Sequence, residues 1–371
     1  MPFVHRIVTH LRDDPLLLGL LLVLPLLIVL SPTAPSAIPG LVHWQTLATL
    51  AGLMALSRAL ESSGYLILAG TLLLQRAGSE RMLGAALVLF AAALAAVVTN
   101  DVALFIVIPL TLGLRRVADL PIGRLIILEA LAVNAGSALS PVGNPQNLYL
   151  WQASNAGFLE FTLAMLPLGL GLLVIVLALV PLALSAKTVS ATAIKQPVRL
   201  ERALLWLTLP AYPLFLLAAE AGWALPAAGL VAALLLLFRP ALLRDLDWGL
   251  LLVFILMFIN LGLLARLPAV AAQAEHLDAL PGGLFSAAAL LSQVISNVPA
   301  AIFLAEFSAD WRLLAWGANV GGFGLAIGSL ANLIALRLAR EPGLWIRFHY
   351  WSLPVLLLSW LFGMGLLRMW G

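Results

Sequence analysis

The chain has 371 residues, 63% of them hydrophobic and only 10% charged. A soluble domain carries roughly 25% charged residues, so a soluble enzyme is excluded, and the net charge of +3 does not point to nucleic acid. At about 20 apolar residues per span there is room for roughly nine to eleven membrane segments and no sizeable soluble domain. Cysteine is absent, which removes disulfides and thiolate metal sites.

The first predicted helix is Pro15–Leu30, preceded by Arg6 and Arg12. A cleaved signal peptide is the alternative for this start; a retained first helix accounts for it equally. Residues 31–43 carry no Lys or Arg, so the N-terminus is predicted to be cytoplasmic. Residues 44–60 return inward, and 57–81, with Arg58, Arg76 and Arg81, read as a cytoplasmic, partly interfacial segment.

Residues 82–114 are unlike the rest. Nothing ionisable lies between Arg81 and Asp101, or between Asp101 and Arg115. The piece 102–114 falls short of the roughly 17 residues needed to cross, and arginines flank both ends. A re-entrant helical hairpin with Thr99-Asn100-Asp101 at its tip fits both facts. Such backbone survives at membrane depth only inside protein or beside a wet cavity. Two full spans with Asp101 outside form the alternative.

Residues 125–151 go outward, interrupted by Asn134-Ala135-Gly136-Ser137 and by the run from Ser140 to Asn147, whose prolines and glycines break a helix. Residues 152–160 are predicted outside, and 161–185 return. Residues 186–202, with Lys187 and Lys195, read as a cytoplasmic linker between halves 1–185 and 203–371. In the second half 203–219 go out, 224–238 come in, 248–264 go out, and 266–280 form an external loop. A second hairpin, 283–308, dips in from outside with Ser296-Asn297 at its tip. Residues 313–336 cross inward with a break from Gly321-Gly322-Phe323-Gly324 to Gly328-Ser329-Leu330-Ala331-Asn332, and 350–367 end outside. On this path every Lys and Arg except Arg266, Arg312 and Arg368 is on the inner side, the expected bias.

The two breaks repeat one another. Asn134, Gly143 and Asn147 have the same spacing as Asn319, Gly328 and Asn332; Gly136 matches Gly321, and Leu148 matches Leu333. The fold class expected is therefore an all-α polytopic membrane protein of two inverted-topology repeats. Each repeat holds a re-entrant hairpin and a discontinuous transmembrane helix, and the halves meet near the midplane where carriers bind substrate.

An acid at membrane depth marks a site by default. Asp101 is read as a proton carrier or a sodium ligand, with a structural cap as the plain alternative. An anion beside it requires Asp101 protonated or cation-paired. Asn100 and Asn297 either cap the following half-helices or touch the cargo, and helix N-termini attract anions. Glu129 is expected to pair with Arg124, and Glu306 to lie near the outer face beside Asp310 and Arg312. Asn260 and Gln293 are read as amides that join helices. Trp44, Trp151, Trp248 and Trp351 are read as interface markers. All five histidines fall at span ends or loops, which argues against an intramembrane metal site. No phosphate-binding loop is present, so ATP is not the direct energy source.

These stretches resemble the ion transporter superfamily, which includes citrate, dicarboxylate and sulfate permeases, arsenite pumps and certain sodium/proton antiporters. In its dicarboxylate branch each half has a Ser-Asn-Thr tip and a Gly-rich break containing Pro or Asn. Thr99-Asn100-Asp101, Ser296-Asn297-Val298, Gly143-Asn144-Pro145-Gln146-Asn147 and Gly328-Ser329-Leu330-Ala331-Asn332 stand in those places. The runs 99–105, 143–147 and 319–324 also resemble YbiR-type bacterial inner-membrane anion permeases, and the likeness extends over nearly the whole chain. The resemblance implies a homodimer in the bacterial inner membrane, with a scaffold and a mobile transport part moving as an elevator. Its cargo would be a small anion, an oxyanion or carboxylate, coupled to protons or sodium and with no other cofactor. The site set comprises Thr99, Asn100, Asp101, Asn134, Gly136, Ser137, Ser140, Gly143, Asn144, Pro145, Asn147, Ser296, Asn297, Asn319, Gly321, Gly322, Gly328, Ser329 and Asn332, with sodium at Asn100, Asp101, Asn134 and Asn297. Asp101 and Val298 depart from the threonines of the dicarboxylate pattern, so neither that substrate nor a paired-sodium stoichiometry carries over. A sodium/proton antiporter using Asp101 and a passive channel are the competing functions.

Overall fold

A computed structural model describes residues 15–115, 120–189, 199–274 and 276–370. Arg6, Arg12, Arg116, Glu275 and, with Lys195, much of the predicted linker lie outside the described residues. Among the described residues the backbone is helical, with one isolated β-bridge between Ser79 and Thr188.

The first helices are α1 (Pro15–Leu30), α2 (Trp44–Ser62) and α3 (Tyr65–Leu74). The last falls where an interfacial segment was expected: its apolar run packs on the next two helices, burying Gly70, Thr71 and Leu74. Helix α4 (Glu80–Val97) opens on Ser79, whose hydroxyl accepts the Met82 amide at 3.2 Å, with Glu80 favourably placed in the first turn. It stops at the extended Val98, and α5 (Asn100–Leu114) begins after Thr99. Then come α6 (Ile122–Ser137), α7 (Pro145–Ala153) and the long α8 (Phe158–Ala183).

The second half runs through α9 (Arg202–Glu220), α10 (Ala224–Phe238), the short α11 (Pro240–Arg244) and α12 (Trp248–Ala265). The expected external loop contains a further short helix, α13 (Pro268–Ala274). Next are α14 (Gly283–Ile295), α15 (Asn297–Ala305), α16 (Trp311–Gly321) and α17 (Leu330–Ala339). The last, α18 (Leu344–Trp370), starts ahead of the predicted 350. Among the described residues, five helices are long and apolar enough to cross a membrane: α4, α8, α9, α12 and residues Leu344–Met369 of α18.

Packing exchanges pieces between the halves. Helix α5 packs on α4, α6 and α17, while α15 packs on α14, α16 and α7. The half-helix after each break therefore leaves its own half and lies against the other half's tip helix. Glycines permit the tightest approaches. A Cβ on Gly136 would overlap the Ala92 backbone of α4, and one on Gly321 would stand 2.9 Å from the Ala289 carbonyl oxygen of α14. Trp206 and Leu214 on α9, and Leu230 and Leu236 on α10, are exposed outward, as lipid-facing helices allow. Trp151 is not an interface marker. Wedging of α7 among α2, α15 and α16 leaves it 3% exposed, edge-on to Phe158.

Candidate functional site

Each tip is a break between two helices, α4 and α5 at the first and α14 and α15 at the second. At the first, Thr99 and Asn100 are buried and Asp101 is half-buried. The Asn100 side-chain oxygen accepts the Asp101 amide at 3.0 Å, and the Asn100 amide donates to the Gly143 carbonyl at 2.8 Å. The first tip is thus fastened to the first break. At the second tip Ser296 has φ 75° and ψ 156°, a region that residues other than glycine rarely occupy and that costs about 1–3 kcal/mol. Its hydroxyl is buried without a hydrogen-bond partner. Asn297 closes on Gly322: a Cβ there would stand 3.2 Å from Asn297 Nδ2 and 3.3 Å from Asn134 Oδ1.

The breaks are built alike. Pro145 supplies a preset φ for the first turn of α7, and Asn144 caps it by accepting the Asn147 amide at 2.9 Å. Ser329 caps α17 by accepting the Ala331 amide at 3.3 Å. Across the centre, Asn134 Nδ2 donates to Asn332 Oδ1 at 2.7 Å, and Asn319 Nδ2 donates to Asn147 Oδ1 at 2.7 Å. Asn144 Nδ2 adds bonds to Asn319 Oδ1 at 2.9 Å and to Ser137 Oγ at 3.1 Å. Freed carbonyls are taken up locally. Asn332 donates to Gly322 O at 2.9 Å, Asn147 to Ser140 O at 3.1 Å, and Ser140 to Ala96 O at 2.6 Å. Gly143 and Gly328 have no room for a side chain, being pressed against the Ser137 and Gly321 carbonyls.

Beginning at this centre are four helices, α5, α7, α15 and α17, so the positive ends of four helix dipoles converge on it. None of the tip and break residues named here is Lys or Arg, and among the described residues Asp101 makes no ion pair.

Other residues touch the second break. Gln293 joins helices as expected, donating to Gly321 O at 2.7 Å and accepting the Leu325 amide at 2.9 Å. Missed in the sequence were His349, whose Nε2 accepts the Ala326 amide at 3.0 Å, and Ser352, which donates to Gly324 O. The available signal was a His and a Ser three residues apart on an apolar helix, one face of α18. Asn260 does not join helices; it donates to Leu256 O of its own helix at 2.8 Å.

The expected Arg124–Glu129 pair does not form. Arg124 donates to Ala183 O at 2.9 Å, satisfying a carbonyl at the C-terminal end of α8, where a cation is favoured. Glu129, fully buried, accepts from Thr111 on α5. Glu306 is exposed on a cavity of about 760 Å³ lined also by His43, Tyr149, Ser154 and Glu160. Burial pulls His43 below its ordinary 6.5. No tip or break asparagine lines this cavity.

The citrate transporter family profile matches residues 12–316, which include both tips and the first break. The chain belongs to the citrate transporter family. This family member is 44% identical to the Inner membrane protein YbiR of Escherichia coli, with 91% of each chain covered. It is 33% identical to an uncharacterized transporter of Methanocaldococcus jannaschii, over 85% of this chain and 86% of the relative. A shorter stretch, 34% of this chain and 23% of the relative, is 26% identical to the Putative transporter arsB of Dictyostelium discoideum. The family is one of transporters, not enzymes, so the chain is a multi-pass membrane transporter with a bilayer and a substrate as its partners.

Proposed function

We propose that this family member is a secondary active transporter of a small anion, an oxyanion or carboxylate, across the bacterial inner membrane, coupled to protons or sodium. Two inverted-topology repeats, 1–185 and 203–371 joined by the linker 186–202, each supply a re-entrant hairpin and a broken helix. The hairpins are 82–114 and 283–308; the broken helices are 125–151 and 313–336. The N-terminus is cytoplasmic and the C-terminus periplasmic, and a homodimer moves its transport parts as elevators. One observation carries this reading: the reciprocal bonds Asn134–Asn332 and Asn319–Asn147, made where four helix N-termini converge without a Lys or Arg among the tip and break residues. An anion there is held by amides, asparagines and hydroxyls, from Thr99, Asn100, Ser137, Ser140, Asn144, Ser296, Asn297 and Ser329. Gly136, Gly143, Gly321, Gly322 and Gly328 permit close backbone approach, and Pro145 starts α7. Sodium, where it couples, is held by Asn100, Asp101, Asn134 and Asn297.

The half-buried Asp101, without an ion pair among the described residues, favours a second reading, sodium/proton antiport. Thermal-shift screening of the purified protein against oxyanions, carboxylates and metalloid acids, with and without sodium, decides between the two. An anion that raises the melting temperature supports the first; sodium alone doing so supports the second. Counterflow in proteoliposomes then separates a carrier, which shows trans-stimulation and saturation, from a channel, which shows neither.

A further inference from the structure

We propose that Glu129 is a proton-binding site of this carrier, separate from the tip acid Asp101. The proposal rests on the reading of the chain as an ion-coupled carrier and adds to it a second place where the coupling proton is held.

Glu129 sits on α6 with no exposure to solvent. Thr111 of α5 donates to its Oε1, and its Oε2 is buried without any partner. Its neighbours along the helix, Leu125, Ile126, Leu128, Ala130, Leu131 and Val133, are all buried and apolar. A carboxylate with one hydroxyl for company in such surroundings loses far more hydration than the single bond returns. It therefore holds a proton or a cation, and among the described residues no cationic side chain is paired with it. The charged and titratable groups on the elements packed against α6 are engaged or turned elsewhere. On α4, Glu80 accepts from Ser185, and Arg81 donates to the Leu184 and Pro181 carbonyls. Arg124 of α6 itself is bonded to the Ala183 carbonyl. At the end of α5, Arg115 pairs with Glu341, as does Arg347 of α18. Glu160 of α8 faces the Gly157 amide, and His349 of α18 holds the Ala326 amide. Arg337 of α17, with Tyr350 and Arg368 of α18, is exposed. Asp101 stands ten residues before Thr111 on α5, about 15 Å away at the helical rise.

Location gives this proton a use. Thr111 and Glu129 join the helix that starts at the first tip to the helix that carries Asn134. Any movement of α5 against α6 opens the Thr111 contact and admits water to Oε2, so protonation and the position of the tip are linked.

The test is infrared difference spectroscopy of the full-length protein in lipid nanodiscs, stepped between acidic and alkaline buffer with no substrate present. Wild type is expected to lose a protonated-carboxyl C=O band on the alkaline step. E129Q removes that band, D101N leaves it, and T111V, which keeps the acid but removes its partner, displaces it. Should E129Q fail to fold, the displacement in T111V carries the test. A wild-type spectrum that E129Q reproduces in full, or a band untouched by T111V, overturns the proposal. A band that responds to sodium chloride at fixed pH and not to the pH step also overturns it, because the site would then be a sodium site. Failure of every anion in the thermal-shift screen leaves this result standing, so the two readings fail separately.

Discussion

Asn134 and Asn332 stand 198 positions apart in sequence, yet the amide nitrogen of one lies 2.7 Å from the amide oxygen of the other, with both side chains buried. Asn319 and Asn147 make the corresponding bond with donor and acceptor halves exchanged. Each of these asparagines serves both a break in its own half and a partner in the other.

Removing either member should therefore cost more than one bond. N134A deprives the buried Asn332 Oδ1 of its donor, and N332A leaves Asn134 Nδ2 only the 3.3 Å bonds to the Ala130 and Gly322 carbonyls; each is expected to lower stability by about 1–3 kcal/mol. The double variant should lose less than the sum, and the same pattern should hold for N319A and N147A. Unfolding in mixed micelles measures the cycle; strict additivity would mean that the two side chains do not act on one another.

Glycine substitutions should sort by what a Cβ would meet. G136A drives a methyl group into the Ala92 backbone, and its cost should reach about 1–3 kcal/mol. G365A, with nothing within 4 Å of its Cβ on a helix, should be neutral or gain up to about 1 kcal/mol. Thermal unfolding of the two variants side by side checks the contrast.

Ser296 separates strain from chemistry. S296G should raise stability by about 1–3 kcal/mol by releasing the backbone at φ 75°, while transport falls because the unpartnered hydroxyl is gone. S296A should lose transport without the gain in stability. Melting curves and uptake into proteoliposomes, read together, test the pair.

Asp101 is expected to govern coupling. D101N should remove the dependence of transport on pH or sodium, whichever wild type shows, when flux is followed under imposed gradients. Unchanged rate and unchanged dependence would leave Asp101 with a structural role only.

His43 sets a direction for stability against pH. Its folded pKa lies below the ordinary 6.5, so between the two values the unfolded chain binds more protons than the folded one. The His43 contribution to stability is complete above 6.5 and is lost as pH falls through that window. H43F, which keeps an aromatic ring beside Tyr149 and Phe258, should flatten this limb of a melting-temperature profile.

Much of this was legible because apolar runs, breakers and arginines report on membrane helices directly. Asn134, Gly143 and Asn147 against Asn319, Gly328 and Asn332 could be found by spacing alone, since each side chain answers to its own broken helix. What spacing cannot give is the partner across the centre, which for Asn134 is Asn332 of the other half. The Arg124–Glu129 expectation failed for a related reason: proximity along a helix competes with the unpaired carbonyls at the end of another, and Ala183 O won the arginine. Helix α3 was missed because Arg58, Arg76 and Arg81 around it suggested an interfacial segment, while its apolar run is held by α4 and α5.

The exchange of α7 and α17 between halves has a consequence for how the molecule can be divided. Severing the chain between α8 and α9 yields two fragments, each missing the piece that fills a groove beside its own tip helix. Neither fragment should fold on its own, whereas co-produced fragments carry every complementary surface and should restore a working transporter.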